Sequence, residues 1–195
     1  MYEKYFKRLL DIILSILILL MLSPIIVLTF FLTWIFIGYP IFSQKRPGKN
    51  NKLFIIYKFR SLENNLDKSL ENRKSKFGNF LRLTRLDEIP QLINVLKNDM
   101  SIIGPRPLLM DYLKIKKFRN HPRKKTKPGI TGLAQISLLD QNKKTKWREQ
   151  FELDKKYVNN ITFTHDLIIY FKTLKFILKI TKKDFLNEPK ININK

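Results

Sequence analysis

The sequence predicts a mixed α/β protein, mostly helical, with an N-terminal membrane element followed by a small domain. Three observations carry this. A long uncharged apolar run is broken at its middle by proline, a short aromatic and β-branched segment follows it, and helical periodicities then alternate with Pro-Gly loops. A chain of 195 residues is long enough for one domain and one membrane element.

The membrane element comes first. No charged residue lies between Ile12 and Ile37, and only Ser15, Ser23, Pro24, Thr29 and Thr33 interrupt the apolar run. A continuous helix over it would be about 39 Å long, enough to cross a bilayer. Pro24, preceded by Ser23, removes a backbone donor and clashes with the turn before it, so a break belongs there. Each half would then reach only about 16–20 Å. Both flanks are basic, with Lys4, Lys7 and Arg8 before and Lys45, Arg46, Lys49 and Lys52 after. The positive-inside rule puts both on the cytoplasmic side. Two shapes remain open on these grounds: a hairpin that enters the membrane and returns, or a kinked transmembrane helix.

The domain follows from about residue 41. Pro40, Pro47 and Gly48 predict a turn region leading out of the membrane element. Leu53 to Phe59 reads as a strand. Residues 62–76 are polar and charged, an exposed helix or loop. A helix is expected from Phe77 to Arg85 and another from Leu86 to Leu96, with Ile89, Leu92, Ile93 and Leu96 on one face. Gly104-Pro105-Arg106-Pro107 predicts a loop, and Pro128-Gly129-Ile130-Thr131-Gly132 a turn. A last helix, Thr164 to Lys183, carries an apolar stripe of Leu167, Ile168, Phe171, Leu174 and Leu178. Lys172, Lys175, Lys179 and Lys182 occupy another face. Such a helix suits an anionic membrane surface; the plainer reading is a core-packing helix with solvated lysines.

Composition narrows the chemistry. With no cysteine, a disulfide framework and thiolate metal sites are excluded. The formal charge of +22 calls for an anionic partner: nucleic acid, lipid headgroups or a phosphorylated substrate. No Gly-rich nucleotide loop is present, and His121 and His165 are not spaced as a metal pair. The informative feature is the acid pair Asp87-Glu88, close to Arg82 and Arg85 and followed by Pro90. Pro90 suits a first helical turn, which places Asp87 at a helix N-terminus. There the helix dipole and the arginines are expected to favour its ionised form. An ionised carboxylate can attack phosphorus, and a neighbouring Glu can ligate magnesium together with substrate phosphates. The plainer reading makes Asp87 an N-cap and Glu88 a first-turn acid. Arg106, held between two prolines, suits bidentate phosphate binding, or else pairs with a nearby acid. Eight Lys or Arg residues lie between Lys114 and Lys127, a solvated surface or a headgroup contact.

Six motifs in order resemble one family. They are Ser23-Pro24, Gln44-Lys45-Arg46-Pro47-Gly48, Tyr57-Lys58-Phe59-Arg60-Ser61 and Leu86-Asp87-Glu88-Ile89-Pro90-Gln91-Leu92-Ile93-Asn94-Val95-Leu96. Then come Met100-Ser101-Ile102-Ile103-Gly104-Pro105-Arg106-Pro107-Leu108 and Lys127-Pro128-Gly129-Ile130-Thr131-Gly132-Leu133-Ala134-Gln135. The chain thereby resembles, from Lys7-Arg8-Leu9-Leu10-Asp11 to the C-terminal helix, the bacterial sugar transferase family of small monotopic phosphoglycosyl transferases. The resemblance implies a re-entrant membrane hairpin over residues 1–40, shaped by Ser23 and Pro24, and a cytoplasmic catalytic domain over 41–195. It implies transfer of a sugar-1-phosphate from a UDP-sugar to polyprenyl phosphate, with release of UMP, at the cytoplasmic face of the bacterial inner membrane. Asp87 would be the nucleophile and Glu88 the Mg2+ ligand. Arg60, Arg82, Arg106, Gln135 and Asp166 would lie toward substrate, and anionic lipids would be partners.

Some residues depart from the family pattern. Where many members carry Asn-Gly-Arg-Asn, this chain has Ile136-Ser137-Leu138-Leu139-Asp140-Gln141-Asn142, so the usual arginine falls near Leu139. Arg123, Lys143 or Lys144 are the substitutes to consider. Leu133 replaces a common Trp, and Ser61-Leu62 a common Thr-Met. Two other readings compete: a non-catalytic membrane scaffold of the same family, and a membrane-tethered nucleic-acid binder. The second gives no role to Asp87-Glu88-Ile89-Pro90, and no nucleic-acid partner is expected.

Overall fold

The computed structural model describes residues 2–63, 73, 75–140 and 147–178. It is mostly helical with two small two-stranded sheets. Helix α1 (Lys7–Met21) continues a π-helical turn at Tyr2–Phe6 and meets α2 (Ser23–Ile37) at Leu22, where the axis bends by 67°. Pro24 stands in the first turn of α2 and cannot donate to the Leu20 carbonyl, four residues back. The Ser23 hydroxyl donates to that carbonyl instead, at 2.8 Å. The Ser-Pro pair therefore bends the helix without orphaning an acceptor. Among the described residues no single helix is long and apolar enough to cross a membrane, although the bent pair together has the length and composition. The element is a bent helix pair, a shape that a broken span and a re-entrant loop share.

Its burial pattern is inverted relative to a water-soluble helix. Helix α1 buries Lys7, Asp11 and Ser15, and α2 buries Thr29, Thr33 and Ile37. Leu20, Met21, Trp34, Ile35 and Phe36 are all more than half exposed. In α1 the buried positions i, i+4 and i+8 are all polar, in α2 they are Thr29, Thr33 and Ile37, and no other apolar residue of either helix is buried.

Past Gly38 the chain forms an antiparallel hairpin of β1 (Ile41–Pro47) and β2 (Leu53–Phe59), in register from Ile41–Phe59 to Pro47–Leu53. β2 has its expected bounds. β1 was expected to be a turn region, because its Gln-Lys-Arg run lacks the apolar alternation of a strand. It forms because Asn50 and Asn51 take left-handed conformations, φ 55° and 61°, and close a short loop back onto β2. Helix α3 (Lys76–Leu83) is capped by the Ser75 hydroxyl, which accepts from the Gly78 amide at 2.9 Å. The polar stretch before it lies largely outside the described residues.

The expected helix from Leu86 is interrupted. A 3-10 turn at Leu86–Glu88 precedes α4 (Gln91–Leu96). The inward face of α4 carries Gln91, Leu92, Asn94 and Val95, whereas Ile93 is exposed, so the predicted face was misphased. Asn94 clamps α4 to β2, donating to the Ile55 carbonyl (2.6 Å) and accepting from the Tyr57 amide (3.1 Å). Arg8 caps the far end of α4 by donating to the Val95 and Leu96 carbonyls at 2.5 and 2.9 Å.

Strand β3 (Ser101–Ile103) pairs in parallel with β4 (Gly129–Thr131), a segment expected to be only a turn. Helices α5 (Lys116–Arg119), α6 (Leu133–Asp140), α7 (Trp147–Asn159) and α8 (Phe163–Leu178) complete the described fold. The core gathers Phe54 and Ile56 of β2, Val95 of α4, Ile102 and Ile103 of β3, Tyr157 of α7 and Ile169 of α8. The stripe of Leu167, Ile168, Phe171, Leu174 and Leu178 on α8 is exposed, so it does not pack into that core. Lys179 and Lys182 lie outside the described residues.

The two Pro-Gly loops are pressed together backbone to backbone. Gly104 donates to the Thr131 carbonyl (2.8 Å) and Gly129 to that of Pro105 (2.9 Å). A Cβ on Gly129 would stand 2.1 Å from the Gly104 nitrogen, with no flexible atom to yield. Gly129→Ala is therefore expected to destabilise the fold by about 1–3 kcal/mol, as overpacking does. An unchanged thermal midpoint for this variant would rule out so close an approach of the loops.

Candidate active site

The site is built by chain geometry around Asp87 and Glu88. Arg85 takes a left-handed conformation, φ 60°, at the end of α3. That sharp reversal, which costs a non-glycine residue on the order of 1 kcal/mol, tucks the next turn inward. Both Asp87 and Glu88 are buried there, at 8% and 7% exposure.

Glu88 is the hub. Its Oε1 accepts from Lys58 at 2.8 Å and from Arg106 at 3.2 Å, while Oε2 lies 3.9 Å from Arg85. Lys58 arrives by strand parity, two residues beyond the buried Ile56. Arg106 arrives from the Gly104–Pro107 loop, whose position is fixed from behind: the Arg123 guanidinium donates to the Arg106 carbonyl. Arg123 is itself buried, paired with Asp154 of α7 at 3.1 Å and stacked over Phe151. It therefore acts as a brace, which removes it as a replacement for the arginine missing near Leu139. Lys143 and Lys144 lie outside the described residues, and Leu139 falls within α6.

The two acids are driven apart electrostatically. Burial penalises ionised Glu88, but Arg106, Lys58 and Arg85 together hold its carboxyl down to about 2. Asp87 is pushed up to about 6, first by burial and next by the Glu88 charge, against the pull of Lys58, Arg85 and Arg106. The expectation that dipole and arginines would simply keep Asp87 ionised is thus corrected, because burial and the Glu88 charge outweigh the pull of the cations. Among the described residues, Asp87 has no hydrogen-bond or ion-pair partner. A buried, unpaired carboxylate facing a cationic wall is a group held ready for an electrophile.

Glu88 Oε2, a hard oxygen, fits a divalent cation such as Mg2+. Oε2 has no hydrogen-bonded cation, and the repulsion between the two carboxylates is what such an ion would relieve. Among the described residues no cluster of three or more metal-ligating side chains exists, so further ligands would come from substrate phosphate or water.

The other expected residues hydrogen-bond to groups other than the acid pair. Arg60 donates to the Tyr39 carbonyl at 2.9 Å and closes the exit from α2. Arg82 holds Ser61 through the hydroxyl (2.9 Å) and the carbonyl (3.1 Å). Gln135 donates to the Ile130 carbonyl at 3.2 Å. Asp166 does not join the acid pair. Its carboxylate accepts from Lys7 (2.6 Å), Tyr2 (2.8 Å) and Tyr157 (2.8 Å) in a network tying α1, α7 and α8 together. Sequence reading missed Lys58 and Arg46 as site residues. Arg46, partly buried on β1, is held below the usual guanidinium range by burial and by the charge of Arg106. The parity of β2 would have found Lys58; nothing local points to Arg46, because β1 was not read as a strand.

Comparison with known proteins gives a consistent result. The family model described as bacterial sugar transferase matches residues 2–180. The uncharacterized sugar transferase EpsL of Bacillus subtilis is 42% identical over 178 residues, covering 88% of this chain and 87% of that protein. The undecaprenyl-phosphate galactose phosphotransferase of Salmonella typhimurium is 34% identical over 91% of this chain, which spans 41% of its length. The UDP-glucose:undecaprenyl-phosphate glucose-1-phosphate transferase of Klebsiella pneumoniae is 40% identical over 87% of this chain, which spans 39% of its length.

The raised pKa of Asp87 has a consequence for stability. A carboxyl whose folded pKa exceeds its unfolded value of 3.8 opposes folding once ionised. Asp87→Asn is therefore expected to stabilise the protein at pH 8 by on the order of 2 kcal/mol, with the gain vanishing below about pH 4. Thermal unfolding of both forms at the two pH values measures it. A variant no more stable than wild type at pH 8 would show that Asp87 is not strained.

Proposed function

The chain belongs to the bacterial sugar transferase family, and from that premise we propose that it transfers a sugar-1-phosphate from a UDP-sugar to polyprenyl phosphate through a covalent aspartyl intermediate. The observation that carries this reading is Asp87, buried and unpaired beside three cations, with a pKa near 6. Ionised, its oxygen attacks the phosphorus bearing the sugar. The P–O bond to the uridine monophosphate portion breaks, UMP leaves with that electron pair, and the phosphosugar stays on Asp87. The phosphate oxygen of the polyprenyl acceptor then attacks the same phosphorus and expels the carboxylate, giving polyprenyl diphosphosugar and free Asp87.

The neighbours of Asp87 divide the remaining work. Arg106 has a side chain 41% exposed, so it can pair with Glu88 and still reach a diphosphate. Lys58 and Arg85 keep Glu88 ionised, which lets it serve as a fixed anionic ligand. Mg2+, held by Glu88 Oε2 and substrate phosphate oxygens, would offset the repulsion between the Asp87 carboxylate and the phosphate it attacks. The bent, outwardly apolar α1–α2 element would lie in the cytoplasmic leaflet, with the exposed stripe of α8 against anionic lipid headgroups. The site then opens at the boundary between water, which supplies the nucleotide sugar, and lipid, which supplies the acceptor.

The test is UMP release by the full chain in detergent, with undecaprenyl phosphate and a panel of UDP-sugars. Release with one donor, abolished by a chelator and by Asp87→Asn, is the expected result; near-normal release from Asp87→Asn would refute the nucleophile. Arg106→Ala is expected to slow turnover roughly 100-fold, the loss typical of a preorganised charge at a reacting centre.

The pH profile gives an independent check. Asp87 must be ionised to attack, so kcat/KM should fall tenfold per unit below a limb near pH 6. Lys58→Met removes a charge that lowers this pKa, so the limb should move upward. A limb that stays in place in Lys58→Met would sink the electrostatic assignment.

A further inference from the structure

A second cleft, of about 470 Å3, lies where the N-terminal turns of α1 face the β1–β2 loop and the segment before β4. Lys4, Lys7, Arg8, Lys49 and Lys127 line it, against the acids Glu3 and Asp11. Those acids are already engaged. Asp11 accepts from the Ile102 amide at 2.9 Å, and Glu3 lies 4.0 Å from Lys49. Lys7 is neutralised by Asp166 at 2.6 Å. Three further cations have neutral partners. Arg8 donates to two carbonyls, Lys127 to the side-chain oxygen of Asn98, and Lys4 leans over the Tyr5 ring. Positive charge is therefore gathered in one concavity with too little negative charge to balance it. Lys127 registers the imbalance: burial, then the charges of Arg8, Lys49 and Lys7, hold its ammonium below the usual range despite the pull of Asp11.

The surroundings narrow the ligand. The same helical turns that present Lys4 and Arg8 to the cleft leave Tyr5, Phe6, Leu9 and Ile13 exposed, each by 45% or more. A ligand with an anionic phosphate and an attached hydrocarbon satisfies both surfaces; a purely water-soluble anion satisfies only one. None of Asp87, Glu88, Lys58, Arg85 or Arg106 lines this cleft. Of the basic run from Lys114 to Lys127, only Lys127 reaches it.

We propose that this cleft binds the phosphate of an anionic lipid headgroup, at a site separate from the acid pair. It anchors the base of the bent membrane element to the leaflet surface, and it stands whether or not the catalytic reading does.

The probes are dihexanoyl-phosphatidylglycerol, dihexanoyl-phosphatidylcholine and inorganic phosphate, titrated against the full chain in a neutral detergent. The phosphatidylglycerol is expected to bind, the phosphatidylcholine not to, and inorganic phosphate to bind more weakly than the lipid. Lys49→Ala/Lys127→Ala should weaken the phosphatidylglycerol roughly 30-fold, from about 1 kcal/mol per basic residue removed. Should the double variant fold poorly, Lys127→Gln alone should still cost roughly 5-fold on the same scale. Unchanged affinity in these variants, or equal binding of the phosphatidylcholine, would overturn the site. Inorganic phosphate binding as tightly as the lipid would overturn the lipid as its occupant.

Discussion

Three separate segments converge on one buried carboxylate. Glu88 receives Lys58 from β2, Arg106 from the loop after β3 and, at longer range, Arg85 from the end of α3. A buried charge is tolerated only when it is paired, and removing one partner from such a cluster leaves the others uncompensated. The cluster thus couples the placement of the hairpin, the 3-10 turn and the proline loop. The supports behind it follow the same logic. Asn94 sets the distance between α4 and β2, and Arg123 with Asp154 sets the proline loop. Asp87 is the beneficiary: its neighbour absorbs the cations' hydrogen bonds, and it keep its own oxygens free at the cost of a raised pKa.

Much of this arrangement was legible in the residues themselves. The acid pair, the proline-held Arg106 and the bounds of β2 follow from local chemistry, because proline, strand propensity and acid spacing act over a few residues. The two-helix break at Leu22 follows from Pro24 for the same reason. What could not be read depends on contacts distant in sequence. β1 looks like a loop because its stability comes from pairing with β2, and the parallel β3–β4 pair is three residues long on each side. Asp166 was placed toward substrate by resemblance, but two of its three partners, Lys7 and Tyr2, are 159 and 164 residues away in sequence. Arg123 looked like a spare phosphate ligand until burial and Asp154 showed it to be internal. The phase of α4 failed for a different reason. Its inner face includes Gln91 and Asn94, polar residues that periodicity assigns outward, and they are inside because Asn94 substitutes for a strand partner on β2.

The Asp166 network explains how an apolar bent helix can be tied to a charged domain. Lys7, Asp11 and Ser15 form the inner stripe of α1, and each of the two charged members has a specific polar partner: Asp166 for Lys7, the Ile102 amide for Asp11. Apolar packing alone would not orient this helix, because none of its apolar residues is fully buried. Hydrogen-bonded charges are directional, so they can fix the rotation of α1 about its axis where hydrophobic contact cannot. Tyr2 and Tyr157 complete the shell around Asp166, and α8 is fixed by the same carboxylate. The outward apolar face of α1 and the exposed stripe of α8 are therefore set relative to each other by one buried ion pair. Since Asp11 joins α1 to β3, and the loop after β3 carries Arg106, the depth of the acid pair relative to any lipid surface is fixed through the same helix. The polar stripe of α1 is in this sense part of the scaffold that holds the acid pair, although none of its residues is hydrogen-bonded to Asp87.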